Sequence, residues 1–64
     1  MHRGQLVEVT EAFAGQQVKA VVSWDEERIF VCREEEFNRA KRENREPENI
    51  GFRREFVKEL TGED

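Results

Sequence analysis

Residues 17–33 read QVKAVVSWDEERIFVCR, two apolar runs separated by the charged triplet 25–27. In the first run, apolar side chains recur at every second position, which predicts a strand over residues 17–24. The side chains expected to face the core are those of Val18, Ala20, Val22 and Trp24. Val21 falls on the opposite face, so we expect both faces to be covered over part of this strand. Residues 28–33 contain β-branched Ile29 and Val31 and predict a third strand.

The sequence before this stretch predicts one more strand. In residues 5–13, Val7 and Val9 alternate with Glu8 and Thr10, as expected for a strand with one buried face. Residues 14–16 contain a glycine and are predicted to form the turn into the next strand. The first half of the chain therefore predicts a three-stranded antiparallel meander over residues 5–13, 17–24 and 28–33.

The sequence after Cys32 changes to a helical, highly charged pattern. Three glutamates, residues 34–36, come before a basic cluster, and the helix dipole favours acidic residues at the start and basic residues at the end. We predict one helix over residues 34–45, which contacts the core along a narrow line through Phe37 and Ala40. Pro47 marks its end because residues just before a proline avoid helical geometry.

The segment 50–60 fits two structures. Phe52, Phe56 and Leu60 are spaced at i, i+4 and i+8, which suits a second helix. Alternatively, Ile50 and Phe52 end a strand, residues 54–56 make a tight turn, and residues 57–60 form a short final strand. The spacing alone leaves both readings open.

The segment Gly51-Phe52-Arg53-Arg54-Glu55-Phe56-Val57 resembles the closing segment of SH3-type barrels. There, an apolar residue, a 3₁₀ turn and an aromatic-valine pair lead into the last strand. The resemblance implies a small-barrel topology. It does not extend to recognition of polyproline ligands, because the turn has no proline, the chain has no tyrosine, and the Trp-Trp pair of the ligand groove is missing.

These patterns together predict one domain over residues 1–64. We expect a mainly-β (α+β) fold, a small, partly open SH3-like barrel with a meander, one helix and a C-terminal strand and turn. The alternative is a three-stranded sheet covered by two helices. The expected core residues are Val7, Val9, Val18, Ala20, Val22, Ile29, Val31, Phe37, Phe52, Phe56 and Val57. The last four residues, 61–64, are expected to be a frayed acidic end.

Composition limits the chemistry that this chain can carry. Cys32 and His2 are the single cysteine and the single histidine, so we expect no intrachain disulfide and no four-ligand zinc site, and we expect Cys32 to be a buried structural residue. We therefore predict a non-catalytic protein without metal or cofactor. The free thiol and the lack of a signal peptide favour a reducing, cytoplasmic location. The apolar run 18–24 is too short to span a bilayer, so no membrane partner is expected.

The candidate binding surface consists of Trp24 and a set of basic residues. Tryptophan is enriched at interface hot spots, although Trp24 also fits the edge of the core. The basic members are Arg39, Arg42, Arg45, Arg53 and Arg54. Glutamates are interleaved among them, and the net charge of the chain is −4. This balance favours a protein-interaction or regulatory module over a nucleic-acid-associated accessory domain that uses the basic helix and tail. A third hypothesis is a homodimer formed through an open edge of the meander.

Overall fold

The computed structural model describes residues 1–60, so the predicted frayed end lies outside the described residues. The described chain forms five strands, one α-helix and one 3₁₀ turn. In chain order these are β1 (Leu6–Glu11), β2 (Gly15–Trp24), β3 (Arg28–Cys32), α1 (Glu34–Glu43), β4 (Ile50–Arg53), the 3₁₀ turn Arg54–Phe56 and β5 (Val57–Glu59).

The strands form one antiparallel sheet in the order β4-β3-β2-β1-β5. The sheet curls into a half-barrel, and the 3₁₀ turn joins its two edge strands, β4 and β5. This arrangement confirms the predicted mainly-β, SH3-like fold. The alternative with a second helix is wrong, because residues 50–60 contain two short strands instead. β4 and β5 also occupy the two edges of the meander, one of which the homodimer hypothesis took to be open.

The ends of the elements differ from the predicted ones by a few residues. The first turn lies at residues 12–14, two positions earlier than expected, and β2 begins at Gly15 with φ +75°. The helix ends at Glu43 instead of residue 45, because Asn44 takes the left-handed conformation at φ 59°. The Arg45 N–H then donates to the Ala40 carbonyl at 3.0 Å, a hydrogen bond typical of helix ends.

The residues that face the core in β2 are set by its pairing with β1. Val7 lies opposite Lys19 and Val9 opposite Gln17. Because directly opposite residues share a face, the core side of β2 carries residues 17, 19 and 21. A β-bulge between Val21 and Ser23 then shifts the register, so that Trp24 lies opposite Ile29. The predicted alternation of β2 is therefore wrong before the bulge.

The core consists of five aliphatic side chains that are at most 3% exposed, with two half-buried residues packed against them. The five are Val7, Val9, Val21, Ile29 and Val31, and the two are Phe52 and Val57. Ala20 and Val22 are buried as predicted.

Three of the predicted core residues lie elsewhere. Val18 is 49% exposed and Phe56 is 45% exposed, so both predictions are wrong. Phe37 is half-buried on α1, where the Arg3 guanidinium lies 5.8 Å from its ring centre. Among residues 1–60, no helix has the length and apolarity that crossing a bilayer requires.

Candidate interaction surface

The structure divides the six predicted surface residues into two groups. Arg39 and Arg42 lie on α1, and Arg45 follows two residues after its end. In the β3–β4 pair, Val31 lies opposite Ile50 at the end next to the helix, whereas Arg28 lies opposite Arg53 at the other end. The helix arginines and the tail arginines therefore lie at opposite ends of this strand pair and do not form one continuous basic patch.

The helix group is partly neutralised by its own glutamates. Arg45 contacts Glu36 at 2.8 Å and Glu43 at 2.7 Å, and Arg39 lies 3.7 Å from Glu36. Glu36 also accepts the backbone N–H of Glu48 at 3.1 Å. The hydrogen bond from Arg45, followed by that from Glu48, lowers the pKa of Glu36, and the two carboxylates raise the pKa of Arg45. This network fastens the loop after α1 to the helix.

The Glu36 network predicts a defined dependence of stability on pH. A carboxyl group whose pKa is lowered in the folded state stabilises the fold above its unfolded pKa, and this stabilisation is lost as the pH falls through the folded pKa. We expect Glu36→Gln to lower the free energy of unfolding at pH 7 and to flatten its decline below about pH 4. Urea unfolding between pH 7 and pH 3 measures both effects. The control is Glu35→Gln, which removes the same charge from an exposed neighbour, and equal pH profiles for the two variants would contradict this role of Glu36.

The second group lies at the turn between β2 and β3, which Asp25 holds in place. Its carboxylate accepts the N–H groups of Glu27 and Arg28 at 2.8 Å each, and its own N–H donates to the Arg28 carbonyl at 2.9 Å. The bonds from Arg28 and then Glu27 lower the pKa of Asp25. This is the hydrogen bonding of an aspartate turn, so the connection is ordered even though it lacks an Asn-Gly or Asp-Gly pair.

Arg54 ties the 3₁₀ turn to this hairpin. Its Nε and Nη2 donate to the Asp25 carbonyl oxygen at 3.0 and 2.8 Å. Its backbone N–H donates to the Glu27 carbonyl at 3.3 Å. Because Nε and Nη2 are engaged in this way, Arg54 positions the turn, whereas the guanidinium groups of its neighbours Arg28 and Arg53 make no hydrogen bond among residues 1–60.

We define the hairpin end as Trp24, Arg28, Arg53 and Arg54. Trp24 is 40% exposed and lies on the core face, at the end of the row Trp24–Ile29–Phe52 across three strands. Arg28 and Arg53 are exposed and lie on the outer face, because the alternate residues Ile29 and Phe52 point to the core. The structure therefore places Trp24 and the two arginines on the two sides of one sheet end.

A second exposed aromatic side chain lies at the other end of β2. Phe13, in the turn Ala12-Phe13-Ala14, is fully exposed, at 103% of its reference area. The predicted first strand, residues 5–13, includes Phe13, so its exposure in a turn was not expected. A turn made of three apolar residues, with none of the usual Asn, Asp or Ser, is the sequence signal that could have identified it.

Cys32 and the acidic side chains are the other residues that could carry chemistry. Cys32 is 5% exposed, and burial, followed by the charge of Glu36, raises the pKa of its thiol. Within residues 1–60, no group of three or more His, Cys, Asp or Glu side chains is arranged to hold a metal ion. In comparisons with known proteins, the chain matches no family model, no curated protein and no solved structure.

Proposed function

We propose that this domain is a non-catalytic protein-interaction module. The proposal is carried by one observation: large aromatic side chains, Phe13 and Trp24, are exposed to water at the two ends of β2. Exposing such side chains forgoes the free energy of burying them, about 1.5–3 kcal/mol for a phenylalanine. Aromatic side chains and arginines are also enriched at protein interfaces, and arginines accompany Trp24 at the hairpin end.

The surroundings of Phe13 favour a protein partner over a lipid surface. Helices and loops that bind membranes usually carry lysine or arginine beside their apolar residues. Of the basic residues near this turn, Lys19 is largely buried and lies 3.5 Å from Glu11, and Arg33 shares a cleft with Glu34 and Glu35. The turn therefore combines an exposed phenylalanine with side chains that offer little attraction to anionic lipids.

The nucleic-acid alternative has less support from the arrangement of the charges. It requires the helix and the tail to act as one basic face, whereas their arginines lie at opposite ends of the β3–β4 pair. Arg45 and Arg39 are also paired with glutamates. A separated and partly neutralised set of cations contributes less phosphate neutralisation than a continuous one.

The experiment is a quantitative affinity capture from a lysate of the source organism, with and without nuclease. The baits are the wild-type domain, Phe13→Ser, Trp24→Ala and the control Arg42→Gln, whose side chain has no ion pair with another residue among 1–60. We expect a set of proteins that survives nuclease, is retained by the control and is lost by at least one aromatic variant. Circular dichroism shows whether each bait is folded.

Two results contradict the proposal. If the captured set disappears with nuclease and is reduced by Arg42→Gln, the domain associates with nucleic acid through the helix. If every variant captures the same proteins as the wild type, neither aromatic residue contributes to binding.

A further inference from the structure

Arg28 and Arg53 lie directly opposite each other in the β3–β4 pair. The hydrogen-bond pattern shows which kind of pair they form. The Arg54 N–H donates to the Glu27 carbonyl, and the Asp25 N–H donates to the Arg28 carbonyl. Since hydrogen-bonded and non-hydrogen-bonded pairs alternate along an antiparallel ladder, Arg28 and Arg53 form a non-hydrogen-bonded pair, the type in which side chains lie closer together.

Two like charges directly opposite each other in a sheet are destabilising. This pair is only partly compensated, because Glu27 and Glu55 line the same cleft and the charge of Arg28 acts on the Asp25 carboxylate. Arg3, Lys19, Arg39 and Arg45 each have a carboxylate within 4.0 Å, whereas Arg28 and Arg53 have none among residues 1–60. The fold therefore keeps two neighbouring guanidinium groups available at its surface, at a cost in stability.

The surroundings of the pair define the size of a suitable ligand. One shallow cleft is lined by Glu27, Arg28, Arg53, Arg54 and Glu55. Arg54 is held at Nε and Nη2 by the Asp25 carbonyl, whereas the two opposed guanidinium groups keep all their N–H groups free among residues 1–60. A group with two or three oxygens can accept hydrogen bonds from both at once. The glutamates at the sides of the cleft disfavour an extended polyanion such as a nucleic acid more than they disfavour one compact anionic group.

We propose that Arg28 and Arg53 form a binding site for a single oxyanion group, a carboxylate or a phosphoryl group, carried by a protein partner. The identity of the carrier rests on the proposed function, whereas the anion site itself can be tested without any partner. A bound oxyanion neutralises the repulsion between the two arginines, so its binding stabilises the fold.

The test is thermal unfolding of the full chain in chloride, acetate and inorganic phosphate at equal ionic strength. In chloride, we expect Arg53→Gln to raise the unfolding midpoint by about 1–4 °C, because it removes the like-charge pair. In tens of millimolar phosphate or acetate, we expect the unfolding midpoint of the wild type to rise by a similar amount. We expect no such rise in Arg53→Gln or in Arg28→Gln. General stabilisation of folded proteins by phosphate affects all variants equally, and the control Arg42→Gln reports it.

The three salts also identify the chemistry of the ligand. A higher midpoint in phosphate alone supports a phosphoryl group, a higher midpoint in acetate alone supports a carboxylate, and a higher midpoint in both supports a site that accepts either oxyanion. The anion site is overturned if phosphate or acetate raises the unfolding midpoints of the wild type and of Arg53→Gln equally. It is also overturned if the wild type has the same midpoint in all three salts. These unfolding experiments contain no partner protein. A negative result therefore contradicts the anion site and not protein binding through Phe13 and Trp24. A failed affinity capture contradicts protein binding and not the anion site.

Discussion

Replacing Val21 with threonine is expected to lower the free energy of unfolding by about 1–3 kcal/mol, whereas Val18→Thr, three residues earlier in the same strand, is expected to change it by less than about 0.5 kcal/mol. Threonine has nearly the shape of valine, so the substitution mainly adds a hydroxyl group. At Val21, which is fully buried among aliphatic side chains, that hydroxyl loses its hydration. At Val18, which is 49% exposed, it remains in contact with water.

Urea unfolding followed by circular dichroism measures both changes. The core of a chain of this length contributes only about 3–5 kcal/mol, so Val21→Thr is expected to remove a large part of the stability. Val18→Thr is the matched control, because it makes the same chemical change in the same strand. Equal effects, or a larger effect at Val18, would show that the alternation read from the sequence is the correct one.

The prediction for β2 was wrong at the two positions that these variants test. The run Val18, Ala20, Val22 and Trp24 satisfies a strict alternation, and Lys19 between its first members looks like a residue that faces solvent. In the structure Lys19 is largely buried on the core face, opposite Val7 and 3.5 Å from Glu11. The bulge after Val21 then restores Trp24 to that face. A buried ion pair and a bulge both depend on the partner strands, which a local pattern does not contain.

The strands and the helix were predictable because each depends mainly on neighbours in the sequence. The meander follows from apolar runs separated by polar turns, and α1 follows from its charge order and the proline beyond it. The tail was ambiguous because both of its readings satisfy a local pattern. Pairing decides between them: β5 joins β1 with Val57 opposite Val9, so Val57 packs against the core, and β4 joins β3.

The candidate site was predictable only in part. Trp24, Arg53 and Arg54 were identified by residue type, and the structure does bring them to one end of the sheet. Arg28 was missed because its position opposite Arg53 depends on a register between strands separated by the whole of α1. The role of Arg54 was also out of reach, since its hydrogen bonds are made to the Asp25 carbonyl, far away in the sequence.

Gly51→Ala is expected to lower the free energy of unfolding by about 1–3 kcal/mol, the usual cost of overpacking. Gly51 lies opposite Phe30 in the β3–β4 pair. A Cβ atom on residue 51 would lie 2.7 Å from Cε1 and 2.9 Å from Cδ1 of the Phe30 ring. Contacts this short cannot be kept, so the ring or the edge strand has to move. Thermal or urea unfolding of the single variant gives the size of the cost.

The Phe30→Ala background separates overpacking from any other effect of the substitution. Without the ring, alanine at position 51 meets no such contact, and glycine inside a strand is destabilising by about 0.5–1 kcal/mol relative to alanine. Gly51→Ala is therefore expected to change sign, from destabilising in the wild type to neutral or stabilising in Phe30→Ala. A double-mutant cycle measured by urea unfolding gives the coupling directly. The same loss in both backgrounds would show that the ring of Phe30 does not determine the need for glycine, and that β4 does not pair with β3 in this register.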